Sequence, residues 1–178
     1  MQKLLKKPSI NYFYPSSIVM VSCIDKEGRP NIITIGAVGI MCAKPPIVGI
    51  AVAPERYSYS LIEEQKEYVV NIPSSDLVKK VDYCGTHSGR DKDKFKETGL
   101  TPQKAEVIKT PLIKECPVNL ECKVKDIIHL GSHSWFIGKI VAVHVNPEIL
   151  DERGNIDKDL ASPFVGFQGG FWKLDKLK

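Results

Sequence analysis

The sequence predicts a mainly β protein: an antiparallel barrel with short inserted helices. Three observations lead there. Apolar, β-branched runs recur along the chain, and most are separated by Gly-, Pro- or Asp-containing turns too short for a crossover, which makes neighbours antiparallel. Two of these runs, 118–130 and 134–145, are long and meet at a tight turn around Gly131, as twisted barrel walls do. Helical patterns are confined to insertions after the third and fourth strands.

Taken in order, Pro15 and the serines after it mark a turn, and residues 18–25 (IVMVSCID) read as a buried strand. Lys26–Pro30 is a hairpin turn with Gly28 available for positive φ. Residues 31–40 form the next strand, whose glycines weaken it as sheet and point to close approach by something else. Pro45 and Pro46 break the chain before a third strand, 47–53. Ser58 is placed to cap a helix over 59–66, and 68–72 is a fourth strand. A second helix opens near Pro73. Its Leu77, Val81 and Cys84 follow helical spacing, and Gly85 is placed to end it. Residues 88–100 are a polar loop leading into a short helix closed by Gly99. A strand over 105–108 precedes the two long strands, and 146–159 is a polar loop. The aromatic, Gly-rich tail is expected to dock. No repeat or linker divides the sequence, so 1–178 reads as one domain.

The composition is ordinary for a globular chain, and a net charge of +4 lacks the concentrated basic footprint of a nucleic-acid binder. No apolar run approaches the roughly 20 residues of a membrane span. The basic N-terminus has no apolar core of the secretory type, so a cytoplasmic protein is expected. Five cysteines (Cys23, Cys42, Cys84, Cys116, Cys122) are odd in number and contain no C-x-x-C, so buried structural thiols are expected. Cys116 and Cys122 are spaced to share one strand face. His87, His129, His133 and His144 have no zinc-type spacing, and no metal is expected. No G-x-S-x-G, Walker A or Rossmann fingerprint is present.

What remains is the stretch 31–71. Small residues fill its first strand, and Arg56, Tyr57 and Ser58 stand at a helix start. A charged fork, a hydroxyl and free amides there suit a phosphate monoester. An exposed turn Arg beside an ordinary cap fits the same residues. The cluster Ser88-Gly89-Arg90-Asp91 with Lys94 reads either as a second part of that site or as a solvated charge run.

Together these motifs resemble the flavin-reductase-like, FMN-binding split-barrel family, in its flavoredoxin and ferric-reductase branch. The resemblance lies in D-x-x-G-x-x-N at Asp25–Asn31, the small-residue strand ending in Pro45-Pro46, and Arg56-Tyr57-Ser58-Tyr59 before a helix. It continues with Val70-Asn71, S-G-R-D-x-D-K-F at Ser88–Phe95, and a His133–Val141 run of the form H-x-x-F-I-G-x-I/V. It implies an antiparallel split β-barrel, a homodimer, and FMN rather than FAD near the dimer interface. Ala37, Val38, Gly39, Ile40, Met41 and Cys42 would line the isoalloxazine ring, with Thr34 and Asn71 among the cofactor contacts. Arg56, Tyr57 and Ser58 would hold the phosphate; Ser88, Arg90 and Lys94 would lie near the cofactor, from either subunit. His133 would act as the catalytic residue beside the flavin or the nicotinamide. Cys42 stands where the family often has Ser. The implied activity is electron transfer from NADH, NADPH or a redox protein to flavin, ferric complexes or a partner protein. The alternative is a non-catalytic FMN-binding carrier or storage module. A barrel binding haem or nucleic acid is the remaining reading.

Overall fold

The computed structural model describes residues 3–175. In chain order the elements are β1 Ser16–Ser17, β2 Val19–Ile24, β3 Pro30–Ile35, β4 Val38–Cys42, β5 Ile47–Val52, α1 Tyr57–Gln65 and β6 Glu67–Ile72. There follow α2 Val78–Thr86, α3 Lys94–Thr98, β7 Pro102–Gln103, β8 Leu112–Ile113, β9 Val118–His129, β10 Ser134–Val145, α4 Lys158–Ala161, β11 Phe164–Phe167 and β12 Gly170–Lys173. No helix among the described residues is long and apolar enough to cross a membrane.

Seven strands form one antiparallel sheet in the order β3-β2-β6-β9-β10-β5-β4. The two edge strands are consecutive in sequence, and only Gly36 and Ala37 join them. Six inter-strand gaps of a flat sheet would span about 29 Å. The three Cα steps from Ile35 to Val38 reach at most about 11 Å. The sheet therefore curls until its edges meet, and the Ala51 amide donates to the Ala37 carbonyl at 2.9 Å, which carries the β4–β5 pairing one residue into the link. No ladder joins β3 to β4 or β5, so the barrel is split along a seam. The predicted single strand over 31–40 is thus two strands on opposite sides of that seam.

The barrel interior is filled by Val19, Val21, Cys23, Val48, Ile50, Tyr68 and Phe136, with Tyr59 and Ile62 of α1. Tyr68 donates its hydroxyl to the carbonyls of Val48 and Phe136 at 3.1 and 3.2 Å. That position admits only glycine at 138, because a Cβ there would overlap the Tyr68 ring end. The outer face of β2 and β3 is covered by α2, α3 and the tail, through Met20, Ile32, Val81, Cys84, Phe95 and Phe164. β2 is consequently buried along its whole length. The tail docks as expected: β12 pairs with β11, and β11 with β1.

Several local expectations are corrected. α1 begins at Tyr57 with Arg56 at the cap position, so Ser58 lies inside the helix and does not cap it. α2 runs past Gly85 to Thr86, since Gly85 packs its bare face toward Thr34. Cys116 lies before β9 in the outer core, whereas Cys122 lies in the barrel interior, so they share no face. Cys42 is half-buried, while the other four thiols are buried.

Residues 105–108 are not a strand. Their polar backbone is taken up by carboxylates instead. Glu121, fully buried on β9, accepts the amides of Glu106, Val107 and Ile108 at 2.8–3.0 Å. It also pairs with His144 Nε2 at 2.6 Å. Glu67 on the neighbouring β6 accepts the amides of Lys109 and Thr110. Burial pushes the Glu121 carboxyl up, but the amides and His144 outweigh it and hold the group below the usual glutamate range. A depressed carboxyl contributes stability above its unfolded pKa and loses it as pH falls through the folded value. Acid should therefore release the 105–110 loop first, read as loss of hydrogen-exchange protection at Glu106–Ile108. Glu121→Gln should lower stability by about 1–3 kcal/mol at neutral pH and flatten the acid limb of the urea midpoint. An unchanged acid limb would remove Glu121 from that role.

Candidate functional site

The seam opens into a cavity of about 160 Å³. One wall is the chain from Ile33 to Ala37, the other Ala51–Ala53, with Arg56 and His133 also lining it. Gly36, Ala37, Ala51 and Ala53 leave little side chain between these walls, so the backbones themselves face the space. A second cavity, of about 170 Å³, adjoins it and shares Ile33, Arg56 and Gly85. Its lining brings together Arg56, Tyr57, Ser58, Ser88, Arg90 and Lys94. The two predicted polar clusters, some thirty residues apart in sequence, thus meet in one groove.

The groove is strongly electropositive. Arg56 is exposed, and none of Arg56, Arg90 and Lys94 forms an ion pair among the described residues. Glu55 is the one carboxylate lining either cavity among those residues. No side chain caps α1: the Tyr59 amide turns back to the Arg56 carbonyl at 3.0 Å, which leaves the Tyr57 and Ser58 amides to meet an external acceptor. Arg90 donates to the Glu55 carbonyl at 3.0 Å and lies 5.6 Å from the Tyr57 ring centre, which orients its fork. Its backbone amide donates to Ser88 Oγ at 3.2 Å.

Lys94 is buried at the start of α3. Its ammonium donates to the carbonyls of Ile32 and Cys84 at 2.8 and 2.7 Å, and burial lowers its pKa. Two of its three donors are thereby used.

Asn31 closes the D-x-x-G-x-x-N motif, and the sequence pattern alone assigns it no place in the site. It is buried, and its Nδ2 donates to Ser58 Oγ at 2.8 Å. Gly89 packs so tightly on Asn31 and the Tyr57 ring that a Cβ would overlap both. Asn31 therefore sets the spacing between the start of α1 and the 88–90 loop. The signal in sequence was an Asn directly after a turn and an isolated Gly beside Arg90.

Other predicted residues fall elsewhere. Thr34 lines the seam and donates its hydroxyl to the Val81 carbonyl at 2.6 Å. His133 is exposed on the β9–β10 turn, with Nδ1 at 3.0 Å from Ser132 Oγ, and lines the seam cavity. Val38, Gly39, Ile40, Met41 and Cys42 line neither cavity: past the seam they run along β5. Asn71 is fully buried in the middle of the sheet. It donates to Met20, Val69 and Ser22 and accepts from Ile113 and Asn119, so it has no group left for a cofactor.

The groove combines a thin slot with a cation-rich end and an uncapped helix. That donor set fits a flat ring carrying a phosphate. Residues 11–171 match the sequence pattern of the family described as "Flavin reductase like domain". An uncharacterized protein of Archaeoglobus fulgidus is 35% identical over 149 residues, covering 83% of this chain and 82% of its own. Among solved structures, the flavoredoxin of Desulfovibrio vulgaris (Miyazaki F) superposes with a TM-score of 0.88 at 30% identity, over 100% of this chain and 96% of that one. The flavoredoxin from Methanosarcina acetivorans gives 0.90 at 29% identity, over 99% and 94%.

Gly89→Ala should force Asn31 and Tyr57 apart at a cost of about 1–3 kcal/mol in unfolding free energy. Asn31→Asp should instead keep the volume, reverse the bond to Ser58 and add a negative charge at the cation-rich end. It should weaken inorganic phosphate binding, measured by calorimetry, while leaving the urea midpoint closer to wild type than Gly89→Ala does. Equal phosphate affinity in Asn31→Asp would show that Asn31 does not govern the groove.

Proposed function

The chain belongs to the flavin reductase-like family, and from that premise we propose that it is an FMN-dependent oxidoreductase. It acts as a homodimer, takes electrons from a nicotinamide donor, and passes them to free flavin, a ferric complex or a partner protein. The observation that carries this reading is the joined groove: a backbone-walled slot ending at Arg56, Arg90, Lys94 and the uncapped start of α1. FMN is favoured over FAD because several cations converge on one small cavity, which suits a terminal dianionic phosphate. Exposed Ile40 and Met41 on β4, just past the seam, support a second copy covering this edge.

A bound flavin supplies reversible two-electron chemistry with negative charge developing on its pyrimidine edge. The rest is the work of the chain's own residues. Arg56 borders both cavities, so one guanidinium can serve the phosphate and the charge in the slot. Arg90 is held over Tyr57 and adds a second fork. Lys94 supplies a fixed positive charge from below. The Ala37 and Ala51 backbones keep the slot narrow. His133, exposed at the slot, can orient the donor or exchange a proton with solvent.

Purified protein should carry, or bind on addition, one FMN per chain, followed by its visible absorption bands. A colourless protein that binds no added FMN overturns the proposal. Arg56→Gln should weaken FMN by roughly 10–100-fold while changing riboflavin, which lacks the phosphate, far less. Lys94→Met should also weaken FMN, and it should lower stability by about 1–3 kcal/mol because the buried Ile32 and Cys84 carbonyls lose their donor. Anaerobic NADH and NADPH should bleach the flavin bands. His133→Ala should slow that bleaching by roughly 100-fold with FMN affinity unchanged. Bound FMN that neither nucleotide reduces would favour the carrier reading instead.

A further inference from the structure

At the end of β5 away from the seam lies a cavity of about 360 Å³, lined by Pro45, Ile47, Lys123, Val124, Lys125 and Lys139. It shares no lining residue with the seam or phosphate cavities. Ile47 is four residues, about 13 Å, along β5 from the slot wall at Ala51. The floor is apolar, with Ile47 buried and Val124 half-buried, and the walls are three exposed lysines. No carboxylate lines this cavity among the described residues, and none of the three lysines forms an ion pair there.

Local structure gives no reason for that concentration of charge. Lys123 and Lys139 stand directly opposite each other across β9–β10. Like charges in that register repel and weaken the pairing. Lysines on edge strands guard against unwanted pairing, but β9 and β10 lie inside the sheet and have no edge to guard. Lys125 is the extra residue of a β-bulge between the pairs Val124–Gly138 and Asp126–Ile137, and the bulge brings it into the same lining. On its other side Lys123 is in register with Glu67 of β6. That carboxylate accepts the Lys109 and Thr110 amides at 2.9 and 2.8 Å and forms no ion pair with Lys123. The repulsion is left for an external counter-charge to relieve.

We propose that this face docks an acidic protein partner, whose carboxylates enter among Lys123, Lys125 and Lys139 while its apolar atoms cover Ile47 and Val124. The chemistry selects protein over nucleic acid: the lining offers no arginine fork to a phosphate and no aromatic ring to a base. That this partner is the redox protein of the proposed reaction rests on the flavin reading; the docking itself does not.

The test uses the full chain and a hexaglutamate peptide, in calorimetry at low ionic strength. The peptide should bind saturably, and roughly 5–10-fold more weakly at about 150 mM salt. Lys123→Glu/Lys125→Glu/Lys139→Glu should weaken it by more than roughly 10-fold. Lys79→Glu/Lys104→Glu/Lys114→Glu makes the same charge change at exposed lysines elsewhere and should weaken it by less than roughly 3-fold. Lys139→Glu alone turns the repulsion opposite Lys123 into attraction, so it should raise the urea midpoint while weakening the peptide. FMN affinity of the first triple variant at about 150 mM salt should stay within about 2-fold, since the slot lies more than a Debye length away. A peptide that does not bind, or that the two triple variants weaken equally, overturns the proposal. So does a DNA single strand of about 20 nucleotides that binds more tightly than the peptide through the same three lysines. If the first triple variant changes the oligomeric state, the face belongs to an interface between copies and the proposal falls. If the peptide responds to the variants as expected but FMN never binds, the docking stands and the flavin reading falls.

Discussion

The structure depends on a link of two residues. Because Gly36 and Ala37 must carry the chain from one edge of a seven-stranded sheet to the other, the sheet has no flat solution. Curling it brings β3 alongside β5 without completing a ladder between them. The result is a gap whose walls are backbone, and the Ala37–Ala51 hydrogen bond carries the β4–β5 pairing up to it. The small residues at the junction fulfil two demands at once. They allow the sharp passage between edges, and they leave the gap open to a flat ligand. A barrel that closed fully would bury these edges and have no slot.

The charged end of the groove is built at the expense of the core beneath it. Lys94 sits in the outer layer, where its ammonium is taken out of water and held by the Cys84 and Ile32 carbonyls. Two carbonyls offset part of that cost, while burial, and the charge of Arg56 after it, push the Lys94 pKa down. Asn31 shows the same pattern on a neutral scale. It is buried, anchors Ser58, and obliges position 89 to be glycine. Polar groups spent in this way, around an uncapped helix, make sense where an anion completes the set. They contrast with Glu121 and Glu67, whose acceptors are already filled by the 105–110 loop.

Much of this was legible in sequence, for identifiable reasons. Period-two patterns and short turns reveal antiparallel pairing, so the long β9–β10 hairpin, β2–β3 and the docking of the tail could be read directly. The family pattern is legible because its motifs occur in order across nearly the whole chain. The break at Gly36–Ala37 was not legible, because a strand that continues and one that crosses to another edge have the same local composition. Ser58 looks like a cap in sequence because helix-start residues look alike; only its buried partner, Asn31, shows that its hydroxyl is engaged away from the helix end. Asn71 was misread for the complementary reason. An Asn at the end of an apolar strand looks available, and its five partners come from β2, β6, β9 and the β8 edge, none of which a local pattern reveals.

The same geometry explains why the groove is continuous around one helix. α2 presents Gly85 to both of its cavities, and the lack of a side chain there keeps them joined. A side chain at 85 would press on Thr34, whose hydroxyl fixes β3 to the α2 carbonyl of Val81. The α2–β3 packing thus positions the Thr34 side of the seam from outside the barrel, while Asn31 spaces the start of α1 from the 88–90 loop.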